Sequence, residues 1–135
     1  MLGRLADGND LERLGDLLND PEVRPYLFWG QETPVDPAWV LERCDVLLYE
    51  GGAVIFERKP DGWWAHTAFL PAWRGKHALD CYRHAYAKFR EFVSEPLNAR
   101  IHRGNRGALA LAWAVGFIRV GLDGDFRILQ LAGGA

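Results

Sequence analysis

Hydrophobic and polar positions recur with two different periods along the chain, and the switches between them predict its elements. Leu11, Leu14, Leu17 and Leu18 fall at helical spacing and predict a short amphipathic helix from Leu11 to Leu18. Asn19-Asp20-Pro21 ends it, and Glu22 to Phe28 reads as a further short turn. Gln31 to Pro37 reads as loop. Asp36 is an N-cap and Pro37 a first helical residue, so a helix should run over Ala38 to Arg43. The period then shortens. Val46 to Tyr49, Ala53 to Arg58 and Trp63 to Leu70 read as strands, parted by the turn signals Glu50-Gly51-Gly52 and Pro60-Asp61-Gly62. Strands joined by such turns make an antiparallel meander. Pro71 stops the last of them, because proline cannot donate to the ladder.

The period lengthens again from Lys76 to Val93, where Ala78, Tyr82, Ala85, Phe89 and Phe92 recur at spacings of three or four. Ala99 to Arg103 reads as a short strand. Asn105 is an N-cap for a helix over Arg106 to Val115, with Gly116 as its C′ residue and Phe117 the apolar residue after it. Ile118 to Gly121 and Phe126 to Leu131 predict a closing hairpin that turns at Asp123-Gly124. Strands mixed with helices around one sheet make the fold class α/β or α+β.

Composition adds bounds rather than function. A chain of 135 residues fits one domain over 1–135 and can bury a core without staples. The formal charge of −2 argues against a general attraction for nucleic acid or an anionic membrane. No stretch approaches the roughly 20 apolar residues that span a bilayer. The first ten residues lack the long apolar run of a leader segment. Cys44 and Cys81 are too few and too far apart for a disulfide framework, so a reducing, cytoplasmic setting is expected. The sequence leaves assembly open between a monomer and a homodimer. Aromatics are abundant, with six Trp, seven Phe and four Tyr. Trp63 and Trp64 are adjacent on one strand and must face opposite sides, so only one of them is expected in the core. Trp113 is expected to pack the second long helix. The other tryptophan of the strand pair, with Trp29 and Trp39, could line an apolar pocket.

One segment carries chemistry. From Ala68 to Ala78 a strand stops at proline, a loop follows, and a helix opens with unpaired N–H groups in its first turn. Those groups and the helix dipole form an anion site. Gly75 lets a ligand approach the backbone, and Arg74 and Lys76 add charge, so the segment reads as a pyrophosphate cradle. Arg100, His102, Arg103 and Arg106 form a second basic cluster. His77, Cys81 and His84 share a helix face, but His77 and His84 are roughly 10 Å apart along the axis. One metal ion does not span that distance, and no metal is expected.

The cradle resembles motif A of the GNAT acyltransferases. Arg74-Gly75-Lys76 matches its common Arg-Gly-Lys opening, behind Pro71 and the aromatic Trp73. Asn105-x-x-Ala108-x-x-Leu111 followed by Gly116-Phe117 resembles motif B. The resemblance covers roughly Leu11 to Leu131. It implies the GNAT fold: a mixed, mostly antiparallel, twisted sheet of about six strands with helices on both faces. The strand before the cradle would splay from its neighbour, and the leading edge of the sheet would be short or absent in so small a chain. It implies acetyl-CoA as cosubstrate and a primary amine as acceptor, with acetyl transfer by direct attack. Backbone groups near Phe69 and Leu70 would pair with the pantetheine arm. Arg74, Gly75, Lys76, His77 and Ala78 would surround the pyrophosphate, and Asn105 would reach the arm or simply cap its helix. The basic cluster would attract the 3′-phosphate.

The departures matter. His77 and Leu79 stand where motif A has small residues. Ala112 stands where motif B often has the tyrosine that protonates the leaving thiolate, which leaves Tyr82, Tyr86, solvent or nothing for that task. An amine must lose a proton to attack, and His66 is the best base, with Glu57 on the previous strand second. The second reading is a GNAT-fold protein that binds CoA or a partner without turnover, like the small proteins of this type in phage genomes.

Overall fold

The computed structural model describes residues 3–27 and 33–134. Trp29, one of the expected pocket residues, lies outside them. The strands are β1 (Arg4–Leu5), β2 (Cys44–Tyr49), β3 (Gly52–Lys59), β4 (Gly62–Phe69), β5 (Leu97–His102), β6 (Ile118–Asp123) and β7 (Phe126–Leu131). The helices are α1 (Leu11–Leu18), α2 (Pro37–Arg43), α3 (Lys76–Phe92) and α4 (Arg106–Ala114). Short 3₁₀ turns cover Gly8–Asp10, Arg24–Tyr26 and Pro71–Trp73.

The strands form one sheet in the order β1-β2-β3-β4-β5-β7-β6. All neighbours are antiparallel except β4 and β5. Seven strands stand where about six were expected, because the leading edge is present as the two-residue β1. Its Arg4 is salt-bridged to the buried Asp10, which ties that edge to the start of α1.

Side-chain alternation along the strands divides the core in two. Leu47, Tyr49, Val54, Phe56, Ala65 and Phe69 pack against α3 and α4, through Cys81, Tyr82, Ala85, Tyr86, Phe89 and Ala112. Val46, Leu48, Ala53, Ile55 and Ala68 pack on the other side against Leu14, Leu17 and Leu18 of α1 and Val40 of α2. Both faces are covered, and of the adjacent Trp63 and Trp64, which face opposite sides, one alone is fully buried, as expected. Trp64 is buried. Trp63 packs on the α3 side, edge-on to Phe89 at 5.5 Å. Trp113, expected to pack α4, instead faces solvent at 71% exposure, because Ala108 and Ala112 form the buried face of that helix. Trp39 is half-buried against the α1 side, beneath the Arg43 guanidinium.

Local signals set the element ends. Asp36 Oδ1 accepts from the Ala38 N–H at 3.0 Å, and Pro37 opens α2. Asn105 Oδ1 accepts from the Ala108 N–H at 3.3 Å and caps α4. Gly51, at φ +67°, turns β2 into β3 directly beneath the Trp73 ring. A Cβ there would stand 2.0 Å from that ring, so the turn needs glycine for space as well as for its backbone. Among the described residues no helix is long and apolar enough to cross a membrane.

Gly51→Ala should therefore destabilise the fold by about 1–3 kcal/mol through backbone strain and displacement of Trp73. Gly8→Ala meets open space and should stay within about 0.5 kcal/mol of the parent. Urea denaturation of both variants checks the pair; equal losses would mean that Trp73 does not depend on the turn.

Candidate active site

Strands β4 and β5 pair over three residues only, Trp63 with Leu97, Trp64 with Asn98 and Ala65 with Ala99. Beyond Ala65 they part, and β4 continues to Phe69 with no strand on that side. The pair Lys59–Gly62 closes the preceding turn, so even-numbered residues of β4 bond to β3. The Leu70 N–H continues that series by donating to the Gly51 carbonyl at 2.8 Å. Thr67 and Phe69 accordingly turn their backbone groups into the gap. The expected splay is there, and a cleft of about 260 Å³ follows it, lined by Thr67, Phe69, Gly75, Tyr82, Asn105 and Ala108 among others.

At one end of the cleft α3 begins. Gly75 occupies its N-cap with φ +79° and ψ −131°, a conformation that favours glycine, and open space lies where a Cβ would be. The first N–H groups of a helix have no partner within it. The turn and helix opening on which the sequence placed an anion site are thus present in the backbone. Ala78 is buried beneath it and also lines the cleft, while Lys76 is exposed. The His77 ring turns away from the cradle. Its Nε2 lies 2.8 Å from the Glu50 carbonyl oxygen, and the ring packs on Trp73 with centroids 5.0 Å apart.

Arg74 lines the cleft and also makes contacts within the protein. Its Nε donates to the Phe69 carbonyl at 2.9 Å and its guanidinium to the Glu22 carbonyl at 2.6 Å. The side chain ties the end of β4 to the segment after α1. The Phe69 carbonyl and the Leu70 N–H, both expected to meet the pantetheine arm, are thereby engaged within the protein. The Thr67 backbone and the Phe69 N–H are the other outward-facing groups of β4 beyond Ala65. Asn105 caps α4 and lines the cleft at the same time.

Adjoining this cleft is a second, narrow gap of about 20 Å³, room for roughly one water, lined by His66, Thr67, Tyr82, Tyr86, Arg100 and Tyr26 among others. His66 and Glu57 meet here. Register pairs Glu57 with Trp64 and Ile55 with His66, so the two are diagonal neighbours on the α1 side of the sheet. Both are buried, with His66 Nε2 3.0 Å from Glu57 Oε1. Burial holds the imidazole below its ordinary pKa by more than its hydrogen bond to Glu57 raises it, with Lys59 and Arg100 pushing the same way as burial. His66 is therefore a neutral base at pH 7. With Nε2 donating to Glu57, Nδ1 is the basic nitrogen.

The basic cluster is dispersed by ion pairs. Arg100 lies over the Trp64 ring at 4.5 Å with its Nε 3.1 Å from Asp123, and Arg103 pairs with Asp125 at 3.2 Å. His84 bonds to the Tyr49 hydroxyl at 2.7 Å, as His77 does to Glu50, so the histidines of α3 have separate partners. No group of three metal-ligating side chains occurs among the described residues. Tyr26 and Thr67 line the site without having been singled out from the sequence. Thr67 reads there only as one more strand residue, and nothing local brings the Arg24–Tyr26 turn to β5, where Tyr26 meets His102 edge-on at 5.9 Å.

No family model matches the chain, and no curated protein matches it in sequence. Solved structures match it in fold along nearly its whole length. The ribosomal-protein-alanine N-acetyltransferase of Brucella melitensis is 21% identical with a TM-score of 0.75, over 96% of this chain and 97% of its own. The yncA protein of Salmonella typhimurium, solved with its cofactor acetyl-CoA, is 18% identical with a TM-score of 0.72, over 98% and 93%. The aminoglycoside acetyltransferase AAC(6′)-Ib, solved with coenzyme A, is 13% identical with a TM-score of 0.73, over 97% and 94%. At these identities the likeness establishes architecture: the chain has the GNAT fold that its two motifs led one to expect.

Proposed function

We propose that the protein is an acetyl-CoA-dependent N-acetyltransferase that moves the acetyl group to a primary amine by direct attack. The observation that carries this reading is a line of two adjoining cavities that share Tyr26, Thr67, Tyr82, Asn105 and Ala108, the wider reaching Gly75 and the narrower bordered by His66 of the buried His66–Glu57 pair. An anion site, an opening in the sheet and a neutral base lie in sequence along it. The α3 N–H groups would take the pyrophosphate. Acetyl-CoA, when bound, supplies a thioester carbon open to a nucleophile. His66 takes the proton of the attacking amine, directly or through the one water that the narrow gap admits, and Glu57 fixes its ring and tautomer. The solved neighbours with acetyl-CoA and coenzyme A support the choice of cosubstrate. Cys44 and Cys81, both buried and in no disulfide, support a reducing, cytoplasmic setting.

Ala112 in place of an acidic side chain on α4 favours the second reading, cofactor binding without turnover. Acetyl-CoA at millimolar concentration should raise the thermal midpoint under both readings. Release of thiol that accelerates when a panel of primary amines is added belongs to the enzyme alone. No thermal shift would sink both.

His66→Gln should lower kcat by about 10²-fold and leave acetyl-CoA affinity near the parent's. Equal loss of both would make His66 structural. The same side chain couples stability to pH. Its folded pKa lies below the ordinary 6.5, so the unfolded chain binds more protons near and below that pH. The neutral form contributes its stability above about 6.5 and loses it as pH falls. The urea midpoint of the parent should drop between pH 7.5 and 5.5 by more than that of His66→Gln, and parallel curves would overturn the assignment of a neutral His66.

A further inference from the structure

Resting on the acetyl-transfer reading, we infer that the Thr67 hydroxyl, held in place by Tyr82, donates a hydrogen bond to the sulfur of the departing thiol. The buried face of α4 offers only short side chains to the gap at Ala108 and Ala112. Asn105 at its N-cap has Oδ1 engaged by the Ala108 N–H, and among the polar side chains of α3 and β4 one hydrogen-bonded pair borders both cavities. The Tyr82 hydroxyl donates to Thr67 Oγ1 at 2.8 Å. Tyr82 is buried and braced by Phe69 and Tyr86, with ring centroids 5.7 and 5.9 Å away. An oxygen that accepts from Tyr82 turns its own proton elsewhere, and Thr67 borders both the wide cleft and the narrow gap.

Position along the strand supplies the second argument. His66 and Thr67 are consecutive, so their side chains leave β4 on opposite faces. Thr67 faces α3 with Tyr82, and His66 faces the α1 side with Glu57. A thioester in the gap between them has the amine's proton acceptor on one side and a hydroxyl donor on the other. The step balances without a further reactant. The amine nitrogen bonds to the acetyl carbon, and its proton passes to His66. The C–S bond breaks with the electron pair left on sulfur. The thiolate departs against the Thr67 hydroxyl and afterwards takes the His66 proton by way of solvent. Tyr82 stays protonated throughout, in keeping with a phenol pushed up to about 12 by burial. It is a positioning residue, and Thr67 touches the reacting sulfur.

Thr67→Val, Thr67→Ser and Tyr82→Phe test this in the full chain. Thr67→Val should lower kcat about tenfold with little change in KM for acetyl-CoA, and Thr67→Ser should restore most of it. Calorimetry with coenzyme A and with desulfo-coenzyme A at pH 9 gives a readout independent of turnover. Thr67→Val should weaken coenzyme A about tenfold and leave desulfo-coenzyme A unchanged, with Tyr82→Phe moving the same way by less. Unchanged binding of coenzyme A, or equal weakening of both ligands in Thr67→Val and Tyr82→Phe, would assign the pair to packing and overturn the inference. If the parent binds neither ligand, the acetyl-transfer reading falls and takes this one with it.

Discussion

The parting of β4 from β5 after Ala65–Ala99 is the constraint on which the rest of the molecule turns. A strand inside a sheet spends its N–H and C=O groups on two neighbours. From Thr67 onward β4 has one neighbour only, and its outward groups need other partners or a ligand. The fold answers this differently at each step. Arg74 reaches back to cover the Phe69 carbonyl, and the Thr67 backbone is left facing the cleft. The gap is held open from both ends. Three parallel pairs clamp β4 to β5 below it, and the Arg74 bridge from Phe69 to Glu22 fixes the end of β4 above it.

A buried histidine beside a buried glutamate is a poor choice for stability. Removing either partner leaves the other desolvated, and an apolar pair of the same volume would pack as well. The placement makes sense through what it does to the imidazole. Burial favours the uncharged ring, and Glu57 keeps that ring oriented without adding enough field to protonate it. Lys59 and Arg100 act in the same direction as burial. A base that is neutral at pH 7 and fixed in direction is what proton removal from an ammonium-derived nucleophile requires. Under the proposed acetyl transfer, the energetic cost and the proton acceptor arise from the same few ångströms of the sheet.

Much of this fold was legible because its signals are local. The Leu11–Leu18 period, the Asp36 and Asn105 caps, and the proline that stops β4 each act within a few residues, and each stands where it was read. The glycine that opens α3 was legible for the same reason. The two-residue β1 was not, since two residues carry no period. Nor was the partnership of Arg74, whose guanidinium meets a carbonyl 52 residues away. His66 and Glu57 could be named from residue chemistry, but their contact depends on the register of β3 against β4, which places them diagonally. Trp113 was misread because a large apolar residue on a helix suggests packing. In α4 the alanines take that face, and the indole is left outside.

Those alanines bring the argument to the size of the chain. A sheet covered on both faces in 135 residues leaves little volume between layers, and α4, nine residues long, lays its smallest side chains toward the sheet. Small residues let a helix backbone come close to what it packs on. The consequence is that α4 cannot also project a long functional group into the gap, and the aromatic lining has to be delivered from the longer α3. Tyr82 and Tyr86 do this one turn apart on the face of α3 that meets β4. The division of labour between the two helices, one thin and close, the other thick and aromatic, follows from packing before any chemistry is asked of it.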